Sequence, residues 1–336
     1  MEYRCLGTSS VKVSALCLGC MNFGGRTDEG ESIRIIHAAI DHGINFLDTA
    51  NVYGRGTSET IVGKALSGGK RDKVVLATKC TSRMGDDPND EGSSRYHIMQ
   101  QIEGSLKRLQ TDHVDLYQLH WMDLETPPEE SMRALDDLVR QGKVRYIGVS
   151  KWAPAWTVEA IMLSERHGWT KILTEQPPYN LCDRRIENEL IWCCMRHGIG
   201  IIPWAPIATG ILSGQYKKGK VPPKGSRFDG RGFGPRLCDA AVERADALKP
   251  LAEEKGVTLA EFSLAWVLRQ PGITAPIIGV RTMEHLESAL DSLDVAFTDD
   301  DRARIDEIAP PGSAVSNYWD VNVGRRCRRA AGITKE

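Results

Sequence analysis

The chain has 336 residues, 41% of them hydrophobic and 26% charged, which suits one large α/β domain or two ordinary ones. A formal net charge of −2 excludes the basic surplus that a nucleic-acid-binding protein needs. No apolar run approaches the ~18 residues that span a bilayer.

Met1-Glu-Tyr-Arg-Cys5 lacks the basic start and apolar core of a secretory signal, so the expected compartment is the cytoplasm. Nine scattered cysteines without a repeated C-x-x-C spacing read as reduced core residues, and no metal site is expected.

In chain order, residues 3–6 and 11–13 flank the turn 7–10 as a small hairpin, suited to a lid over one end of something larger. A repeating pattern of short apolar strand and amphipathic helix follows. The strands read as 15–19, 45–48, 74–79, 114–120, 144–150, 172–176, 200–204 and 275–279. Helical patterns cover 31–42, 95–109, 129–141, 155–167 and 184–197, several ending on a glycine: Gly43, Gly142, Gly168 and Gly198.

Eight such units without a composition break favour a closed (β/α)8 barrel over a doubly wound sheet. A dinucleotide fold would need G-x-G-x-x-G after its first strand, and Gly19-Cys-Met-Asn-Phe-Gly-Gly25 does not fit. The expected organisation is a single α/β domain over 1–310. This TIM barrel carries an N-terminal β-hairpin lid and a site at its C-terminal face, and a tail follows over 311–336.

The stretch 45–59 is the focus. A buried strand ends at Asp48, the chain breaks at Tyr53, Gly54 and Gly56, and a helix begins with Thr57 and Ser58 placed to cap it. Glu59 falls in the first turn, where the helix dipole favours a carboxylate. Lys79 and His120 end the third and fourth strands, so Asp48, Tyr53, Lys79 and His120 share one rim, where barrels build chemistry.

Singly, each has a plain reading: a solvated strand end, a packed loop aromatic, a histidine on a loop carbonyl. Together their chemistry interlocks. A tyrosine with pKa ~10 donates poorly near neutral pH unless a neighbouring ammonium stabilises its phenolate. A buried lysine needs a carboxylate to stay charged, and a histidine can polarise a carbonyl oxygen. The product is a pocket that protonates a carbonyl oxygen as hydride reaches carbon. Neither G-x-S-x-G nor H-E-x-x-H is present.

Two further stretches lack periodicity. Residues 208–237 form a Gly-, Pro- and Lys-rich insertion of the kind that serves as a lid or ligand clamp. The tail carries Arg325, Arg326, Arg328 and Arg329, read as a solvated cluster.

These segments resemble the aldo-keto reductase family. Asp48-Thr-Ala-x-x-Tyr53-Gly-x-Gly-x-Ser-Glu59, the strand end at Lys79 and Leu119-His120 are similar to its catalytic tetrad motifs. Gln141-Gly-Lys-Val-Arg-Tyr-Ile-Gly-Val-Ser150, Glu175-Gln-Pro-x-Tyr-Asn180 and Pro203-Trp-Ala-Pro-Ile-x-x-Gly210 resemble its nicotinamide-side segments. Ile278-Gly-Val-Arg281 resembles its adenosine-phosphate segment, and the nearest branch is that of bacterial general reductases and potassium-channel beta subunits.

The resemblance implies NADP(H), rather than NADH, lying across the C-terminal face of the barrel. Tyr53 is then the acid/base, Asp48 and Lys79 tune it, and His120 orients the substrate carbonyl. Ser150 and Gln176 hold the carboxamide beside Lys151, and Trp204 stacks on the nicotinamide. The backbone of Ala205, Pro206, Ile207 and Gly210 wraps the pyrophosphate near Gln215. Arg227 and Arg281 reach the 2′-phosphate, with Gly279 and His285 in the same region.

The sequence departs from the family pattern at Lys151, Ala205, Gln215, Ser288 and Ala289, and the changes at 215 and 288–289 imply a looser adenosine end. The implied substrate is a small-molecule carbonyl or alcohol. A dehydrogenase of sugars or secondary alcohols and a nicotinamide-holding regulatory subunit are the alternatives, and homo-oligomerisation stays open.

Overall fold

A computed structural model describes residues 1–319. Strand β1 (Tyr3–Cys5) pairs antiparallel with β2 (Lys12–Ser14), as the hairpin pattern predicts. Eight parallel strands follow: β3 (Cys17–Gly19), β4 (Phe46–Asp48), β5 (Val75–Cys80), β6 (Val114–Leu119), β7 (Val144–Val149), β8 (Ile172–Glu175), β9 (Gly200–Ile201) and β10 (Ile277–Ile278). They pair in the order β10-β3-β4-β5-β6-β7-β8-β9. The backbone bonds Thr274 N to Ile201 O and Ile277 N to Pro203 O, both 2.8 Å, join the last strand to β9. The sheet is a closed (β/α)8 barrel.

The helices α1 (Glu29–Asp41), α2 (Thr57–Ala65), α3 (Arg95–Leu109), α4 (Pro128–Arg140), α5 (Pro154–His167) and α6 (Leu190–His197) alternate with β3 to β9. Two helices, α7 (Asp239–Glu254) and α8 (Leu259–Leu268), separate β9 from β10, and α9 (Met283–Asp291) and α10 (Asp299–Ile308) complete the ring. The helix predicted over 184–197 is split: a 3-10 turn at Arg185–Glu187 precedes α6. The cause is a buried charge. Arg184 turns inward to Glu187 at 2.7 Å and Asp306 of α10 at 2.6 Å, with its guanidinium over the Trp266 ring. Satisfying that cation costs one regular helix end.

Two apolar layers hold the barrel. Between strands and helices lies the larger, including Leu18, Leu47, Leu76, Tyr117, Val149 and Trp266. Inside the barrel, Cys17, Phe46, Ala77, Leu116, Leu173 and Ala275 pack with Leu6 and Val13 of the hairpin. Asn45, just before β4, bonds Ser14 N at 2.7 Å and Lys12 O at 2.9 Å. The hairpin therefore plugs the N-terminal mouth, away from the strand ends that carry the polar residues.

Residues 311–319, expected as the start of a tail, run along the rim: Arg184 N donates to Ser313 O and Val315 N to Cys182 O. Arg325, Arg326, Arg328 and Arg329 lie outside the described residues. Among the described residues the cysteines are free, no helix is long and apolar enough to cross a membrane, and no group of side chains has metal-ligand placement.

Candidate active site

Side chains alternate faces along a strand, so residues two apart share the barrel interior. Phe46, Ala77 and Leu116 form its apolar layer. Two residues further on, Asp48, Lys79 and Gln118 form a polar layer, all of it buried. His120 follows at the next position above Gln118, just past the end of β6. Strand parity thus stacks Asp48, Lys79 and Gln118 in one layer, to which the turn after β4 adds Tyr53.

Lys79 Nζ pairs with Asp48 Oδ1, donates to Thr49 O at 2.8 Å and reaches Tyr53 Oη at 3.4 Å. Its ammonium also lies 5.0 Å from the Tyr53 ring centroid. Burial works against that charge, but Asp48 and then Tyr53 outweigh it and hold Lys79 above its ordinary pKa. The His120 ring meets Tyr53 edge-on, with centroids 5.7 Å apart, and stacks on Trp121 at 5.5 Å. Burial, with Lys79 and Lys151 adding repulsion, holds His120 well below its usual range, so its imidazole is neutral at pH 7. Ser82 Oγ lies 3.5 Å from Nδ1, which leaves Nε2 as the ring nitrogen for a ligand.

One expectation changes here. Lys79 does favour the Tyr53 phenolate, yet burial is the larger influence and Asp48 adds to it, so the Tyr53 pKa is raised. The phenol keeps its proton at neutral pH.

The turn that carries Tyr53 is left-handed at three successive residues: Gly54, Arg55 and Gly56, with φ of 58°, 51° and 94°. A side chain at Gly56 would also collide with Arg108, whose Cδ lies 2.5 Å from a Cβ placed there. Thr57 and Ser58 do not cap α2. Gly56 occupies the cap position without a side-chain bond, Thr57 Oγ1 donates to Gly54 O, and Ser58 Oγ donates to Cys20 O. Glu59 is fully buried, accepting from Thr78 Oγ1 at 2.6 Å and Arg108 Nε at 2.7 Å. It therefore bolts the turn to β5 and α3, a tighter role than complementing a dipole.

On the other side, Ser150 Oγ donates to Gln176 O at 2.7 Å. Gln176 points inward because β8 carries one extra residue: Ile147 pairs with Ile172, but Gly148 pairs with Thr174. Such a bulge reverses the faces beyond it. Gln176 Nε2 reaches Asp48 Oδ2 at 2.9 Å, while Glu175 turns away and accepts from Trp152 N at 3.2 Å. Gln118 Nε2 binds the same Asp48 oxygen at 3.1 Å. Sequence reasoning overlooked Gln118, although its position two residues before His120 marks it.

Trp204 is half-buried, edge-on to Tyr318 at 5.9 Å and with the Arg236 guanidinium 5.4 Å from its ring centroid. Ala205, Ala208, Thr209 and Gly210 have φ of 56°, 52°, 54° and 96°, a run of left-handed turns flanking buried Pro206 and half-buried Ile207. Tyr318 Oη anchors them through Ala208 O at 2.6 Å. Gln215 is exposed beside Gly210, and Lys151, itself at φ 59°, holds its ammonium 5.4 Å from the Trp121 ring centroid.

Arg227 is pulled below its ordinary pKa by burial and by Arg26, Arg231, Arg236 and Arg281. Arg26 and Arg281 both donate to Gly225 O, at 2.9 and 3.3 Å. Gly279 O accepts from Asn22 Nδ2 at 3.3 Å, and His285 sits in the first turn of α9, its pKa lowered by burial and then Arg281. Arg26 and Arg281 converge on Gly225 O, and the like charge felt by Arg227 suits this end to a ligand that brings phosphate charge. Ser288, by contrast, spends its hydroxyl on Glu261 at 2.7 Å. Phe23, in the loop after β3, is core, at 1% exposure.

Fold and site together define a (β/α)8 barrel with a buried Asp48–Lys79 pair and a half-buried Tyr53 and His120 at its C-terminal mouth. The Aldo/keto reductase family model matches residues 15–310. The oxidoreductase YrpG of Bacillus subtilis is 41% identical over 323 residues, covering 93% of this chain and 97% of that protein. A probable voltage-gated potassium channel subunit beta of Arabidopsis thaliana is 37% identical over 303 residues, covering 88% and 92%. The versiconal hemiacetal acetate reductase of Aspergillus parasiticus is 36% identical over 335 residues, covering 91% and 96%. The chain belongs to the aldo/keto reductase family.

Proposed function

We propose that the protein is an NADP(H)-dependent reductase of a small-molecule aldehyde or ketone, with Tyr53 as the general acid. The observation that carries the proposal is the buried Asp48–Lys79 pair with Tyr53 Oη 3.4 Å from Nζ and a neutral His120 against the same ring. Ser150, Lys151 and Gln176 would hold the nicotinamide carboxamide, Trp204 its ring, residues 205–210 and Gln215 the pyrophosphate. Arg227 and Arg281, near Gly279 and His285, would hold the 2′-phosphate. When bound, NADPH supplies a hydride; the protein's own work is to manage the proton.

That work divides among the four residues. His120, uncharged, can donate a hydrogen bond to the substrate oxygen without competing for its proton. Tyr53 gives up its proton as the oxygen gains charge, and the Lys79 ammonium stabilises the phenolate left behind. Asp48 keeps Lys79 charged while it is buried. The Tyr53 phenol is in its acid form at neutral pH, as reduction requires, and the Lys79 ammonium works against the rise that burial imposes on its pKa.

Replacing Tyr53 with Phe is the test. Turnover with NADPH and a panel of carbonyl compounds is expected to fall by about 10²–10⁴-fold, while NADPH affinity, read by fluorescence, stays within about threefold. Turnover equal to wild type would remove Tyr53 from the mechanism. The cofactor preference has its own test: Arg227→Ala with Arg281→Ala is expected to weaken NADPH about 100-fold and NADH by less than about threefold. Equal losses would discard the 2′-phosphate role.

A further inference from the structure

Asp48 Oδ2 accepts from two primary amides: Gln118 Nε2 at 3.1 Å and Gln176 Nε2 at 2.9 Å. Gln176 Nε2 also donates to Gln118 Oε1 at 3.2 Å. The three side chains are buried, so water does not substitute for these bonds. A primary amide nitrogen has two protons, and Gln176 spends both, one on Asp48 and one on Gln118. Its remaining hydrogen-bonding atom is Oε1, an acceptor. Turning the amide over would set that oxygen against the Asp48 carboxylate and against Gln118 Oε1 at once. Gln118 is locked in the same way, since its own reversal would face an oxygen to Asp48 and an NH₂ to the Gln176 NH₂.

We propose that Gln118 is a positioning residue that fixes the polarity of Gln176, presenting Oε1 and withholding Nε2 from the ligand. The site then selects a nicotinamide-type ring that offers an N–H donor, and disfavours a ring whose substituent can only accept. The inference rests on the reading of Gln176 as a carboxamide contact. With Gln118 removed, Gln176 keeps its Asp48 bond but one proton of Nε2 is released, and the reversed amide meets one repulsion, from Asp48, instead of two, so the acceptor polarity is held less firmly. Selectivity for the donor-bearing ring falls even where overall affinity changes little.

The experiment compares NADP+ with its 3-acetylpyridine analogue, in which a methyl ketone replaces the carboxamide and the ring substituent has no N–H. Calorimetric titration of each into wild type and Gln118→Leu gives the ratio of the two dissociation constants. Wild type is expected to favour NADP+ by about 10-fold or more, and Gln118→Leu by less than about threefold, the scale of one buried hydrogen bond. Should the leucine variant fail to fold, Gln118→Met keeps the side chain's length without its hydrogen-bonding groups and carries the same expectation. Loosened packing alone would weaken both ligands together and leave the ratio unchanged.

An unchanged ratio in the variant overturns the role of Gln118 and leaves the cofactor reading intact. Failure of wild type to bind NADP+ overturns that reading and, with it, this one.

Discussion

Glu175 is a carboxyl group that proton delivery does not use, and its placement has a measurable consequence. It is fully buried, Oε1 accepts from Trp152 N, and Oε2 meets no hydrogen-bond donor among the described residues. Burial pushes its pKa up to about 8, while the backbone N–H groups of Trp152 and Lys151 pull the other way. Unfolded, the same carboxyl titrates near its ordinary value of ~4.3. Between those two values the folded chain holds a proton that the unfolded chain releases. Stability from this group is therefore present below pH ~4 and is lost as pH rises through about 8. Glu175→Gln keeps an oxygen for Trp152 N and removes the titration. Urea unfolding at pH 5 and pH 8.5 is expected to show wild type losing, on the order of a few kcal/mol, stability that the variant retains. Parallel curves for the two proteins would exclude the buried ionisation.

At the scale of elements, apolar runs and strand ends were legible because they follow from local chemistry. The eight strands appear where continuous apolar runs placed them, and Asp48, Lys79 and His120 lie at their C-terminal ends. Parity along β6 also makes Gln118 legible, since 116, 118 and 120 share a face. The bulge in β8 was not. Strict alternation through Ile172-Leu-Thr-Glu-Gln176 turns Glu175 inward with Leu173, and one extra residue puts Gln176 there instead. Bulges depend on the register of the neighbouring strand, which the strand's own sequence does not carry. Glu59 was misread for a related reason. Its position in the first turn of α2 is local, but its partner Arg108 is 49 residues away, and burial decides its role. Thr57 and Ser58 had the right chemistry for caps, yet the left-handed Gly56 took the cap and freed their hydroxyls for Gly54 and Cys20.

For the whole molecule, the residue that closes the site comes from near the end of the described chain. Residues 311–319 are tied to two distant segments: Arg184 N to Ser313 O, Asn317 N to Pro235 O, and Ser316 Oγ to Arg236 O at 2.7 Å. Tyr318 ends the strap, buried, with its ring against Trp204 and its hydroxyl on Ala208 O, 110 residues away in sequence. No local pattern announces a contact of that span. Ala208 and Thr209 sit in the left-handed region without the freedom of glycine, a strained conformation that its surroundings must hold. Tyr318 Oη is one such hold, and Thr209 Oγ1 lies 3.3 Å from it. Tyr318→Phe keeps the ring under Trp204 and removes that bond. Folding stability is expected to fall by about 1 kcal/mol, the net worth of one hydrogen bond. The segment that would wrap the pyrophosphate loosens, so NADPH is expected to dissociate several-fold faster in stopped-flow fluorescence. The single-turnover rate of carbonyl reduction should stay at the wild-type value, because Tyr53, Lys79 and Asp48 are seated on β4 and β5 and in the turn after β4, whereas the strap is anchored on Arg184, Pro235, Arg236 and Ala208. A slowed chemical step with unchanged cofactor release would reverse that assignment and make Tyr318 part of the proton-delivery centre.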